Sequence, residues 1–413
     1  MFFAGEAGKK HPNPHFIEMI LSICQLHKET AMNLFKPPTT QQAVRHFDQY
    51  FQKLHRKNAS KPLQIRVFSQ PLGLDYCFSS GAIDQPYHTA SIGKVFTAVL
   101  VYMLAERGLL KTGDFISQHL PPPVLERLFV YQDVDYASQV RLEHLLGHTS
   151  GAADYFEGKT THGMVFMEQV LHNPTFHWTP QALLDFSRER QDAVGIPGRS
   201  FNYSDTGYIL LGLLIEQVTG KSFAQNLADE IFQPLGMRDS YLMFYGEPLN
   251  TPKQNIEKIW FNGLEISRFE SLSCDWSGGG IITTTADLLT FNQALRSGRL
   301  IHPETLAAMD VCSNKFRPGI YYGLGMMALH FKEFFPLLGH LPRAKGHIGI
   351  LSTHMFYDPA KEAHIIMNFG DNTRMVESFQ ALIEIENMLF LDKLVDELAK
   401  GKKMEKILRG LKS

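Results

Sequence analysis

Along the chain the spacing of apolar residues changes repeatedly, and each change marks an element. Phe16-Ile-Glu-Met-Ile-Leu-Ser-Ile-Cys-Gln-Leu26 reads as an amphipathic helix, and Ala43, Val44, Phe47, Tyr50, Phe51 and Leu54 recur at helical spacing after it. Two strand-like runs, Leu63–Phe68 and Leu74–Phe78, are broken by Pro71 and Gly73 in the manner of a hairpin. From Ser91 to Arg107 apolar residues cover most helical faces and Gly108 stops the run, which predicts a central, buried helix. Another helix follows Asp205, from Tyr208 through Val218, and closes at Gly220. Gly278–Thr285 reads as a turn into a strand, with Asp287 as the candidate cap of the next helix. Gly349–Tyr357 and His364–Phe369 predict neighbouring strands joined at Asp358-Pro359, and a closing helix occupies about 374–399. Strands near both ends with mostly helix and loop between 110 and 260 indicate one sheet built from both chain ends, with a helical insertion.

Composition narrows the class. Of 413 residues, 44% are hydrophobic and 20% charged, the balance of an ordinary globular chain. Lys+Arg 40 against Asp+Glu 42 leaves a net charge of −2, so no global basic field favours nucleic acid. The 18 histidines outnumber that charge, and mild acid is expected to make the chain cationic. Cys24, Cys77, Cys274 and Cys312 lie far apart without a CxxC pair. They read as buried or free thiols of a reducing compartment, with room for one disulfide. No apolar run reaches spanning length, and the 16–26 stretch contains Glu18 and lacks a small-residue cleavage site. A cytoplasmic location is therefore expected, with a periplasmic or exported one as the alternative.

Residues 1–36 read as an extension, 37–399 as the main domain and 400–413 as a basic tail. Within the main domain the α/β part takes about 37–110 and 265–399, and the helical lobe about 111–264. The tail has six basic side chains and one acid, a solvated helix end or else a weak contact with an acidic membrane surface or partner.

Three segments carry chemistry. Ser91-Ile-Gly-Lys94 opens the apolar helix, and residues three apart share a helical face, so the Lys94 ammonium can reach the Ser91 hydroxyl. Alone, such a pair is common; an idle charge inside an apolar helix is costly, which favours a working lysine. Tyr203-Ser204-Asp205 stands directly before the second helix, and a phenol beside an ammonium can have its pKa lowered and accept the serine proton. Lys345-Gly-His-Ile-Gly349 leads into a strand, where Gly349 would admit a ligand close to the backbone and the Ile350 N–H could serve an oxyanion.

In this order the three segments resemble the serine beta-lactamase-like superfamily, in the branch of class C beta-lactamases, D-alanyl-D-alanine carboxypeptidases, D-aminopeptidases and esterases. Leu145-Leu-Gly-His-Thr-Ser-Gly151, Pro234-Leu-Gly-Met237 and Tyr322-Gly-Leu-Gly325 fit the same branch, and the likeness covers about residues 40–395. It implies an α/β (α+β) fold with an antiparallel sheet flanked by helices, beta-lactamase/transpeptidase-like, needing no cofactor and no metal. It further implies Ser91 as the acylated nucleophile, Lys94 and Tyr203 as managers of its proton, and the N–H groups of Ser91 and Ile350 as the oxyanion hole. His347 would line the site from the strand.

Two departures bear on substrate. Asp205 stands where the family often has Asn, and should pair with Lys94, pushing the base role toward Tyr203. His347 stands where beta-lactamases and many carboxypeptidases carry a fixed cation, which disfavours efficient penicillin or cephalosporin hydrolysis. If His347 meets substrate, preference for anionic substrates should rise as it protonates. The expected function is a serine hydrolase acting on an ester or amide bond of a small molecule or short peptide. An acyltransferase shares its first step, and the rival from another class is a non-catalytic sensor or scaffold. Tyr155, after the Thr-Ser-Gly turn, is a candidate for the cleft wall. Glu143-His144 and His148 have the wrong order for a zinc-protease motif, and Asp275–Gly280 reads as a tight turn beside the sheet.

Overall fold

The structure, a computed structural model, describes residues 39–250 and 252–390. The extension, the 16–26 stretch, the basic tail and the closing helix beyond Phe390 lie outside the described residues. Helix α1, Thr40–Lys57, starts at a capping box in which Thr39 and Gln42 satisfy each other's backbone N–H, and it buries Ala43, Phe47, Phe51 and Leu54. Strands β1 (Gln64–Ser69) and β2 (Leu74–Ser79) pair as an antiparallel hairpin, with Gly73 at φ +56° in its turn. The apolar helix is α2, Gly93–Glu106, and α3 spans Asp205–Thr219 with Gly220 as a left-handed cap.

Helix α4 is Thr285–Arg296. Its cap is Thr284, whose side chain accepts the Asp287 N–H; the expected cap, Asp287, instead accepts from Ser240 Oγ and the Asp239 N–H. Strands β3 (Asn314–Arg317), β4 (Ile320–Tyr322), β5 (Met327–Leu329), β6 (Lys345–Gly349), β7 (Thr353–Asp358) and β8 (Ala363–Asn368) follow, then α5, Met375–Leu389. The expected strand 349–357 is thus divided: Gly349 ends β6, and a turn with Ser352 at φ +58° leads into β7.

Among the described residues the largest sheet has eight strands in the order β3-β4-β5-β6-β7-β8-β1-β2, every neighbouring pair antiparallel. Strands from the two ends of the chain meet where β1 pairs with β8, Gln64 opposite Asn368. Alternation along each strand divides the core. Phe356, Ile365 and Met367 pack with Phe47 and Phe51 of α1 and Leu382 of α5, whereas Met355 and Ile366 pack with α2, α3 and α4. Helices α2 and α3 meet the sheet on this second face.

Burial also revises the histidine reserve. His88, His347 and His354 are all buried, and loss of solvent holds their pKa at about 4, about 3 and about 3. These rings stay neutral in mild acid. No helix among the described residues is long and apolar enough to cross a membrane.

Candidate active site

Helix α2 is entered through a single 3-10 turn, Ala90–Ile92, that carries Ser91. Ala90 sits at φ +49°, a conformation costing a non-glycine residue roughly 1–2 kcal/mol. Its surroundings hold it there. The Ala90 N–H donates to His88 Nδ1 at 3.1 Å, and Thr89 Oγ1 donates to the carbonyls of Gly279 (3.2 Å) and Ile281 (3.0 Å). From β7, Thr353 Oγ1 donates to Thr89 O at 2.7 Å. A Cβ on Gly349 would stand 2.5 Å from Thr89 O and 2.8 Å from Ala90 Cβ. The close approach at Gly349, expected of a ligand, is therefore made by the turn that presents Ser91.

One turn further on, Lys94 is fully buried. Its ammonium donates to Ser91 Oγ (3.1 Å), to Gly278 O (2.7 Å) and to the Asp205 carboxylate. Three acceptors use all three protons. Asp205 is the first residue of α3, and its backbone N–H donates to Asp154 Oδ1 at 2.9 Å. Two further carboxyls thus flank the ion pair. Burial first, and the charge of Asp205 second, push Asp154 and Asp275 each up to about 7. Asp275 Oδ2 lies 3.5 Å from His88 Nε2. Since His88 Nδ1 accepts from Ala90, the imidazole proton must sit on Nε2, facing Asp275.

The Tyr203 ring lies 5.1 Å from Lys94 Nζ and packs between His148, at 4.1 Å between centroids, and Phe316, at 5.2 Å. Its phenol is held well above the ordinary value, by burial first and the Asp205 charge next, while a hydrogen bond with Ser91 acts the other way. This corrects the expectation of a phenol lowered by the lysine: Asp205 neutralises Lys94, and Tyr203 is protonated at neutral pH.

Ser91, Tyr203, Asp205, Gly349 and Ile350 border one cavity of about 120 Å³, with Lys94 beneath its floor. Two expected residues do not reach it. His347 points to the other side of β6, where its Nε2 meets Tyr322 Oη at 3.1 Å and its Nδ1 meets Ile348 O at 2.8 Å. Strand alternation gives the cavity Ile348 instead. Buried and with a pKa of about 3, His347 cannot act as a partly charged substrate contact. Tyr155 is likewise a core residue: its ring packs on Phe166 and its hydroxyl donates to Cys274 O at 2.7 Å. Its neighbour Phe156 borders the cavity in its place.

Sequence reasoning passed over His88 and gave His148 and Asp275 no part in the chemistry of the site. His148 stands at φ +56° and its Nδ1 accepts the Ser204 N–H at 3.0 Å, so it fixes the chain entering α3 and stacks on Tyr203. A histidine tied to backbone at Nδ1 is not free to ligate metal there, and among the described residues no group of three His, Cys, Asp or Glu is placed to hold an ion. For His88 and Asp275 no local pattern exists: they are brought together from distant parts of the chain.

An antiparallel sheet from both chain ends, helices on both faces and a Ser-Lys-Tyr cluster beside β6 define a member of the serine beta-lactamase-like superfamily. The Beta-lactamase family profile matches residues 82–382, and the chain belongs to that family. A second profile, of an uncharacterized protein conserved in bacteria, matches residues 374–409. Penicillin-binding protein 4* of Bacillus subtilis (strain 168) is 32% identical over 155 residues, covering 37% of this chain and 30% of that protein. Matches to the next two curated relatives cover 36% and 55% of their lengths. In fold, the chain is similar to D-amino acid amidase from Ochrobactrum anthropi SV3, with a TM-score of 0.66 at 20% identity over 84% of this chain and 98% of that one. It is similar also to EstCE1, a hydrolase with promiscuous acyltransferase activity, at TM-score 0.65 and 18% identity over 84% and 99%.

Proposed function

We propose that this protein is a serine hydrolase that forms an acyl-enzyme at Ser91 and cleaves an ester or amide bond in a small molecule or short peptide. The observation that carries this is the buried Lys94 ammonium 3.1 Å from a serine hydroxyl that opens into a cavity. A charge kept dry in an apolar helix and aimed at one hydroxyl suits a developing alkoxide. Ser91 Oγ attacks the carbonyl carbon; the oxyanion that forms is met by the N–H groups of Ser91 and Ile350. The Ser91 proton passes to Tyr203 Oη as the phenolic proton passes to the leaving oxygen or nitrogen, whose bond to carbon then breaks. Water reverses the route and releases the acid. Tyr203 is a neutral relay here, in keeping with its raised pKa, and Lys94 keeps its charge throughout.

An amidase and a hydrolase with promiscuous acyltransferase activity share this fold, in keeping with acyl chemistry at such a site. A neutral, buried His347 supplies no cation from β6 for a substrate carboxylate, and the basic side chain that borders the cavity is Arg317 of β3, so beta-lactam hydrolysis should be weak at most. Incubation with a fluorophosphonate probe, followed by peptide mass spectrometry, should place the adduct on Ser91. A short-chain ester, a D-amino-acid anilide and a chromogenic cephalosporin then rank the substrates. Absence of label on Ser91, with turnover intact in Ser91→Ala, would overturn the reading.

A further inference from the structure

Beside the Ser91 cavity lies a wider trough of about 740 Å³. The two share Glu157, Tyr203 and Phe316, but Ser91, Gly349 and Ile350 border only the first. Their walls differ in kind. Around Ser91 the cavity is narrow and largely apolar, with Met327, Ile348, Met375 and Phe379, although Asp275 and Arg317 also border it. The trough is lined by Asp154, Glu157 and Asp192 with Thr160 and Thr161. It has two lysines, Lys159 and Lys315, and Lys315 donates to Glu333 at 2.8 Å.

Resting on the acyl-enzyme reading, the geometry points to a two-part substrate: an apolar acyl group beside Ser91, and a polar leaving group, cationic in preference to anionic, in the trough. Chemistry fixes which part goes where. After the first step the acyl group stays bonded to Ser91 Oγ, so it must occupy the cavity that contains Ser91. The leaving oxygen or nitrogen must receive a proton as its bond to carbon breaks, and Tyr203, which carries that proton, faces both spaces. The leaving atom therefore lies beside Ser91 Oγ and Tyr203 Oη, and the rest of the leaving group extends past Tyr203 into the trough, toward Glu157 and Asp192. Asp192 and Glu157 are exposed, so each charge is worth little singly, and the preference should be a modest one.

Three butyrate esters isolate the leaving group: butyrylcholine, its uncharged isostere 3,3-dimethylbutyl butyrate, and the butyrate ester of glycolate. Acid release measured by pH-stat should give a kcat/KM for the choline ester about fivefold above the isostere, the scale of one exposed charge pair. The glycolate ester should fall below both. Asp192→Lys, a change on an exposed loop, should shrink or reverse the choline-to-glycolate ratio. Trapping of the butyryl-enzyme by acid quench and mass spectrometry separates the two layers of the argument. A butyryl group on Ser91 with equal or inverted leaving-group preference overturns this inference alone. No butyryl on Ser91 with any of the three esters overturns the acyl-enzyme reading, and this one with it.

Discussion

Replacing Asp205 by Asn tests the electrostatics of the site. The change removes the only carboxylate hydrogen-bonded to Lys94 among the described residues, yet keeps an oxygen in its place. Breaking a buried ion pair by removing one partner typically costs about 3–5 kcal/mol. The retained acceptor and the two flanking carboxyls reduce that. In the parent protein Asp205 helps hold Asp154 and Asp275 at about 7, far above their ordinary 3.8. A carboxyl whose folded pKa is raised binds more protons folded than unfolded between those values, so its ionisation erodes stability as pH climbs from about 4 to 7. Without Asp205 both ionise earlier, and Asp275 becomes a substitute counter-ion for Lys94. The stability gap between parent and variant should thus be largest near pH 5 and close by about 1.4 kcal/mol for each pKa unit recovered by pH 8. Urea unfolding at the two pH values measures this. The rate of fluorophosphonate labelling supplies a second reading: its alkaline limb should move to lower pH, because Asp205 also raises Tyr203. A gap that is absent, or that widens with pH, refutes the reasoning.

Other substitutions test the Ser91 turn. Gly349→Ala would set a Cβ 2.5 Å from Thr89 O, so β6 must move away; overpacking of this kind costs about 1–3 kcal/mol, and labelling of Ser91 should collapse with it. Retention of the parental urea midpoint and labelling rate would show that the turn is not clamped. His88→Ala strands the Ala90 N–H, a loss of about 1–3 kcal/mol, and should slow labelling. His88→Asn, which can offer an oxygen near Nδ1, should recover much of the rate. Finally, His88 and His347, with folded pKa near 4 and 3 against an ordinary 6.5, bind fewer protons folded than unfolded. Their contribution is complete above about pH 6.5 and is lost as pH falls toward 4, opposite in sign to that of Asp154 and Asp275, so on acidification through this window the parental urea midpoint should fall toward that of His88→Asn. Over pH 5–8 the relative kcat/KM for anionic and neutral substrates should show no histidine step from His347.

What was legible in the sequence is what repeats locally. The uninterrupted apolar faces of α2 predict its burial, and spacing alone brings Lys94 to Ser91. The pairing of Asp205 with Lys94 also follows from reasoning on charge. Sidedness was harder. In Lys345-Gly-His-Ile-Gly349 a buried strand has no contrast between polar and apolar faces, so nothing local says that His347 turns toward Tyr322 while Ile348 turns to the cavity. Tyr155 and Phe156 fail in the same way, as adjacent aromatics on opposite sides of one wall.

Long-range electrostatics were not legible at all, and they decide how the proton moves. From sequence, a lysine next to a tyrosine predicts a lowered phenol. In the fold, Asp205 takes the lysine's charge and, with burial, raises the phenol instead. A standing phenolate would have to be held beside Asp205 in a poorly solvated site, where like charges repel strongly. A neutral phenol avoids that cost and needs to be charged at no stage, provided that it gives one proton as it takes another. This demands a leaving atom within reach of Tyr203 Oη, and the trough that continues past Tyr203 gives the rest of the leaving group room. The raised phenol and the placement of the trough are independent observations, one electrostatic and one steric. The raised phenol favours a relay over a base, and the trough accommodates the group that leaves.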